Sequence, residues 1–350
     1  MLLLAACASF NNPDGWAPAE VAEDTLYVTL NGGELSAVDP ETFDIIWEFP
    51  ASDEQVCGNE ETQKRDLEGI YAAPVVSKGI VYIGAWDGNV YALDAATGNC
   101  LWDFETDGPV IGGLVLSNGL IFVASSDGNL YTLDPATGSE EKSRVHVGEV
   151  WSRPALSDGV LYIANVNGEL RALDAETLDE LWVFSINTGF LTDPELLNGT
   201  IVVGGLGQRL YGIDVATGNE LWSFDDATNW YWGQPLAVGN TVYATNLDSR
   251  LFAIDIATGK RLWQFDGIAP IRAGAVISGG VLIAVDDNGN VYGIDPESGI
   301  PVWIGPTQID KKVLADPYVL ADGSVMIVTT GGDTFTVSPE DGRLTTVDIQ

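Results

Sequence analysis

Few side chains in this sequence are placed to do covalent or metal chemistry. His146 is the single histidine of 350 residues, and with no second histidine or cysteine near it, a strand-end residue is expected there rather than a metal ligand or a triad member. The run Asp286-Asp287-Asn288-Gly289-Asn290 offers oxygen ligands of the kind calcium takes. Its glycine is out of place for an EF-hand loop and no glutamate closes it, so a hairpin turn is expected there and no metal site. No Cys-x-x-Cys-His haem attachment occurs. The remaining chemistry is that of binding. Aromatic and basic residues recur at Tyr71, Trp151, Arg153, Phe190, Arg209, Trp230, Trp232, Arg250 and Arg272, with Lys311 and Lys312 beyond them. Aromatic and arginine anchors are what protein interfaces use. An anionic ligand or acidic partner loop is the functional reading of the basic residues, and local ion pairing is the favoured one, because only 15 Lys and Arg stand among 51 Asp and Glu. The net charge of −36 repels nucleic acid and anionic lipid faces.

The cysteines divide one and two. Leu4-Ala5-Ala6-Cys7 resembles a bacterial lipobox, which makes Cys7 a candidate lipidation site and the polar stretch after it a tether. The apolar run before Cys7 is too short for a full signal peptide, so the natural start is expected further upstream. Cys57 and Cys100 then remain as an even pair in an oxidising compartment, compatible equally with a disulfide and with two free thiols. No apolar run approaches the ~20 residues needed to cross a bilayer.

These residues must be positioned by a repeat. An aspartate recurs at Asp39, Asp94, Asp134, Asp174, Asp214, Asp255 and Asp295, with Ser338 in the last copy, in steps of 55, 40, 40, 40, 41, 40 and 43. A tryptophan follows eight residues later at Trp47, Trp102, Trp182, Trp222, Trp263 and Trp303, and is replaced by Lys142 and Thr346 in the third and eighth copies. Within the second copy, alternation and turn residues predict four short strands at 72–76, 81–85, 89–93 and 100–104. Asp87-Gly88 between the second and third predicts a type I′ hairpin, and Asp94-x-x-Thr97-Gly98 predicts a hydrogen-bonded turn between the third and fourth. Four antiparallel strands per ~40 residues make a propeller blade. The chain is therefore expected to be all-β, an eight-bladed β-propeller over 16–350, preceded by the lipoprotein signal and tether at 1–15 and interrupted by an insertion at 50–68. Proline recurs in the predicted first strands, which suits the channel edge, where no ladder donor is needed. The blades run in phase with the sequence, so ring closure is expected to rest on packing between blades 1 and 8. The insertion, the aromatics and the arginines are expected to gather at one mouth of the channel.

The phrase Ala92-Leu93-Asp94-Ala95-Ala96-Thr97-Gly98-Asn99-Cys100-Leu101-Trp102 resembles the tryptophan-docking motif of the quinoprotein (PQQ-like) β-propeller repeat family, and similar copies begin at Ala37, Ala172, Gly212, Ala253 and Gly293. Repeats of this kind joined to a lipobox in a chain of this length are most similar to the propeller lipoproteins of the outer-membrane β-barrel assembly machinery. That resemblance implies a lipid-anchored, extracytoplasmic, non-enzymatic scaffold whose channel-mouth face grips a partner protein. Two alternatives are a binder of a small molecule, a quinone or carbohydrate, and a quinoprotein dehydrogenase. The dehydrogenases would imply a quinone, a calcium ion held by acidic and amide side chains, an aspartate base and a disulfide between adjacent cysteines. The chain has no adjacent cysteines and lacks their long insertions, so neither enzymatic activity nor bound quinone is expected.

Overall fold

The computed structural model describes residues 17–22, 24–30, 33–51, 57, 67 and 69–349. Cys7, the tether and most of the insertion lie outside the described residues. Eight four-stranded antiparallel sheets, each built from consecutive strands, follow one another as blades at 20–49, 75–105, 114–146, 155–185, 195–224, 236–266, 276–308 and 318–347, forming an eight-bladed β-propeller. First strands of neighbouring blades approach one another around the axis, which makes them the innermost. They are only two to four residues long, and in blade 2 the first strand is Val75–Ser77 rather than 72–76. Pro74 lacks an N–H, so the ladder begins after it and residues 72–74 remain an irregular connection.

The hydrophobic core is divided into layers between blades. One cluster joins blades 2 and 3 through Tyr82, Val90, Trp102, Ile121 and Tyr131. Equivalent clusters fill the other seams, including one of Leu26, Val28, Val38, Leu320, Met326 and Val328 between blades 1 and 8. Among the described residues no strand is shared across that last seam. Side chains close the ring, with a Val21 N–H donating to the Tyr318 hydroxyl at 3.2 Å.

The repeat motif builds these seams. Asp94 Oδ1 accepts from the Thr97 hydroxyl at 2.8 Å and the Thr97 N–H at 2.9 Å, which fixes the turn between third and fourth strands. In the turns opened by Asp134, Asp214 and Asp295 the same hydroxyl and amide donors hold the carboxyl below its usual range. The tryptophan of the preceding blade then docks on the turn. Trp47 Nε1 donates to the Ala95 carbonyl at 2.9 Å, Trp102 to Pro135 at 3.1 Å, Trp222 to Ile256 at 2.7 Å and Trp303 to Pro339 at 3.1 Å. The indole lies flat against the turn glycine, so that a Cβ on Gly98 would come within 2.6 Å of Trp47.

This contact explains two irregularities together. Where blade 3 carries Lys142 in place of tryptophan, blade 4 carries Leu178 in place of glycine, and where blade 8 carries Thr346, blade 1 carries Phe43. Leu178 and Phe43 keep the left-handed backbone of the glycine, with φ of 64° and 62°. Their side chains fill the space an indole occupies elsewhere, Leu178 within the blade 3–4 layer and Phe43 against the blade 8–1 layer. Lys142 Nζ still donates to the Ala175 carbonyl at 3.3 Å, the position that receives the indole N–H in other blades.

The hairpins between second and third strands differ from the type I′ expectation. Only the glycine has positive φ, 85° at Gly88, whereas type I′ needs it at both central residues. The Gly88 N–H bonds the Ala85 carbonyl at 3.2 Å and Ala85 pairs with Asn89, giving a three-residue loop with a left-handed third residue. The aspartate stays right-handed because its carboxylate is engaged, accepting from the Asn89 N–H at 2.8 Å and the Tyr91 hydroxyl at 2.6 Å. Gln208 and Ser249 occupy the glycine position in blades 5 and 6 with φ of 60° and 69°.

A disulfide joins Cys57 to Cys100, with Cα atoms 4.9 Å apart. Cys100 opens the outer strand of blade 2 two residues after the turn glycine, at the end of the blade remote from the hairpins. The expectation that the whole insertion gathers at the channel mouth is thereby corrected. Its described cysteine is drawn to the opposite end, beside Trp47 and Ala95 in the blade 1–2 layer.

Candidate functional site

Each blade begins with a short connection from the previous outer strand to the next inner one, crossing the face on which the second-to-third-strand hairpins also emerge. Residues two and four before the first strands of blades 2, 4, 5, 6 and 8 line the axis there, joined by Pro18 of blade 1, Gly112 of blade 3 and Arg272 of blade 7. They enclose a cavity of about 170 Å³ whose walls include Tyr71, Trp151 and Trp232. Close passage of backbone makes this ring possible: a Cβ on Gly112 would lie 2.0 Å from the Ser152 carbonyl oxygen.

The inner ring is asymmetric. Small residues, Pro18, Ala73, Gly112 and Gly274, stand two before the first strands of blades 1, 2, 3 and 7, while Arg153, Asp193, Gln234 and Asp316 stand there in blades 4, 5, 6 and 8. Each aspartate caps the connection of the blade before it: Asp193 Oδ1 accepts from the Arg153 N–H at 2.7 Å, and Asp316 Oδ1 from the Gly274 N–H at 2.5 Å. Glu20 and Glu195 open the first strands of blades 1 and 5, one layer further in on the same side of the backbone. Enclosure by the channel walls pushes the Asp193 carboxyl up to about 7, with the nearby Asp316 and Glu195 charges adding to the rise and Arg153 opposing it. Burial likewise raises Asp316 to about 6, and raises Glu20 and Glu195.

Of the expected binding-face residues, Tyr71, Trp151, Arg153, Trp232 and Arg272 line this cavity. Phe190 does not: it is 1% exposed, sealed in the blade 4–5 layer against Phe184 and Tyr211, and is removed from the binding face. The reason is radial. Phe190 belongs to the connection crossing over blade 4, and its side chain fills the space between blades. Trp230 is half-buried beside the hairpin of blade 6, where its carbonyl accepts from the Leu247 N–H at 3.0 Å. Arg209 and Arg250 stand on the hairpins, away from the cavity lining.

The arginines are mostly engaged by neighbours. Arg209 pairs with Asp225 at 3.4 Å, Arg250 with Asp248 at 3.1 Å and Asp266 at 3.5 Å, and Lys311 with Asp333 at 3.3 Å. Arg272 pairs with Asp287 at 3.2 Å while its guanidinium lies 5.1 Å from the centre of the Trp232 ring. The guanidinium of Arg153 makes no ion pair among the described residues, although it lies within electrostatic reach of Glu20 and Asp193. Sequence reasoning missed Asp193 and Asp316. A signal was available, since Arg153, Asp193, Gln234 and Asp316 all precede the recurring proline, which holds the residue before it extended.

The other candidate chemistry is satisfied internally. Asp286 is fully buried and accepts from the amides of Ala269, Asn288 and Asn290, from Asn290 Nδ2 and from the Tyr292 hydroxyl, leaving no oxygen for a cation. His146 is exposed at the end of the blade 3 outer strand. Among the described residues no three His, Cys, Asp or Glu side chains gather to hold a metal ion. No helix among the described residues is long and apolar enough to cross a membrane.

Comparison with known proteins bears on this architecture. The family model described as outer membrane protein assembly factor BamB matches residues 31–152, 140–269 and 248–349. Outer membrane protein assembly factor BamB of Yersinia pestis is 40% identical over 89 residues, 25% of this chain and 21% of that protein. Quinohemoprotein alcohol dehydrogenase of Comamonas testosteroni is 33% identical over 86 residues, 25% of this chain and 12% of that protein. The matched stretch thus spans a small part of either relative. The crystal structure of BamB from Moraxella catarrhalis superposes with a TM-score of 0.72 at 18% identity, covering 91% of this chain and 92% of the other. The computationally designed Ika8 protein gives 0.73 at 17% identity, covering 92% and 96%, so the likeness at this level is one of fold.

Proposed function

The chain belongs to the outer membrane protein assembly factor BamB family, and from that premise we propose that it is a non-enzymatic, extracytoplasmic scaffold, anchored through Cys7, that holds a partner protein at its channel mouth during outer-membrane protein assembly. The observation that carries this reading is the cavity at the axis, where three half-buried aromatic rings, Tyr71, Trp151 and Trp232, stand around one open concavity beside Arg153 and Arg272. Aromatic and arginine side chains gathered at the rim of a pocket are the composition of an interface hot spot. A dehydrogenase reading is disfavoured by the disulfide, which joins Cys57 to Cys100 across 43 residues where the dehydrogenase bond joins adjacent cysteines. No bound quinone is expected.

The test is genetic and structural. A strain lacking the protein should show depleted folded β-barrel proteins in its outer membrane, restored by the wild-type gene and not by Trp151→Ala/Trp232→Ala of equal abundance. Normal β-barrel levels in the deletion strain, or full rescue by the double variant, overturns the proposal. Replacement of Cys7 by serine should release the protein from the membrane fraction.

A further inference from the structure

The charge balance around the cavity points to the chemistry of the guest. Arg272 is matched by Asp287, which leaves Arg153, among the described residues lining the cavity, as the cation without an ion pair; it lies within electrostatic reach of Glu20 and Asp193, beside Glu195 and Asp316. Asp193 and Asp316 come from blades 5 and 8, on different sides of the axis, yet each lines the same cavity and Asp193 feels the Asp316 charge. Each uses Oδ1 to cap a backbone amide, and Oδ2 of each accepts no hydrogen bond among the described residues. Above these carboxylates stand aromatic rings whose faces attract cations, and Trp232 already carries the Arg272 guanidinium on its face. An anionic guest would have to approach two carboxylates set inside the cavity. A cationic one would meet aromatic faces on the way in and unshared carboxylate oxygens at the floor.

We propose that the channel mouth receives a cationic group, a guanidinium or ammonium, which the partner protein presents between Tyr71, Trp151 and Trp232 and seats against Asp193 and Asp316. The identity of the carrier rests on the scaffold reading, whereas the recognition of the cation does not. It reverses the polarity expected from the arginines, because most of those arginines are matched by their own neighbours. The raised carboxyls of Asp193 and Asp316 fit a site held ready for a missing positive charge. They also give capture a pH dependence: with Arg153, Glu20 and Glu195 around them, both are ionised at pH 8 and largely neutral at pH 5.

The probe is Nα-acetyl-L-arginine amide, titrated into the purified protein by calorimetry and followed through the indole N–H resonances of Trp151 and Trp232. Binding is expected for this probe and not for the uncharged isostere Nα-acetyl-L-citrulline amide or for Nα-acetyl-L-aspartate amide. Asp193→Asn/Asp316→Asn keeps the carbonyl that caps each amide and should weaken binding at least tenfold with an unchanged melting temperature. Lowering the pH from 8 to 5 should weaken wild-type binding by a similar factor. Absence of binding, equal binding of the citrulline probe, or undiminished affinity in the double variant overturns the proposal. The titration contains no partner, so its failure leaves the scaffold reading standing, and a deletion strain with normal β-barrel levels leaves the cation site standing.

Discussion

Lys142→Trp and Leu178→Gly, made singly and together, test whether the seams between blades are set by one reciprocal contact. Leu178 is 8% exposed, so removing its side chain should cost about 2–3 kcal/mol of burial. Its φ of 64° is left-handed, and glycine relieves about 1 kcal/mol of that cost. Leu178→Gly alone should therefore destabilise by about 1–2 kcal/mol. Lys142→Trp alone forces an indole against Leu178, when elsewhere even a bare Cβ at that turn would come within 2.5–2.7 Å of the ring. Overpacking of this kind costs about 1–3 kcal/mol, and the Lys142 hydrogen bonds to the Ala175 and Glu176 carbonyls are lost besides. In the double variant the indole can lie over glycine with Nε1 on the Ala175 carbonyl, as in six other seams. The double should be more stable than the sum of the singles predicts, by about 2–3 kcal/mol. Urea unfolding of the four proteins, compared at equal m, reads the coupling. A value within about 0.5 kcal/mol of zero would mean the two positions are independent and would refute the docking argument.

Two further outcomes follow from the same geometry. Gly98→Ala should cost about 1–3 kcal/mol more than Gly159→Ala, because both glycines have φ near 70–77° but only Gly98 has an indole within 2.6 Å, while Gly159 faces open space; equal losses in melting experiments would contradict the contact. Cys57→Ser/Cys100→Ser should lose about 4 kcal/mol of stability by the loop-entropy argument for a separation of 43 residues, matched by dithiothreitol treatment of the wild type. An unchanged denaturation midpoint would show that the bond constrains little.

The sequence by itself determined the blade. The Asp-x-x-Thr-Gly turn, the strand alternation and the tryptophan eight residues on are read within ~40 residues, because turns and ladders form between residues close in the chain. Even the hairpin departure from type I′ is local, arising from Asp87 spending its carboxylate on Asn89 and Tyr91. What only the tertiary structure decided are relations between blades. Phe190 and Trp232 look alike in sequence, and their fates differ because one falls between blades and the other at the axis. The pairing of Lys142 with Leu178 joins adjacent blades, and the closure of Val21 on Tyr318 spans 297 positions. Asp193 and Asp316 are ordinary aspartates before prolines until the ring brings blades 5 and 8 to a common cavity, and only there does the loss of water raise their carboxyls and create a place for a positive charge.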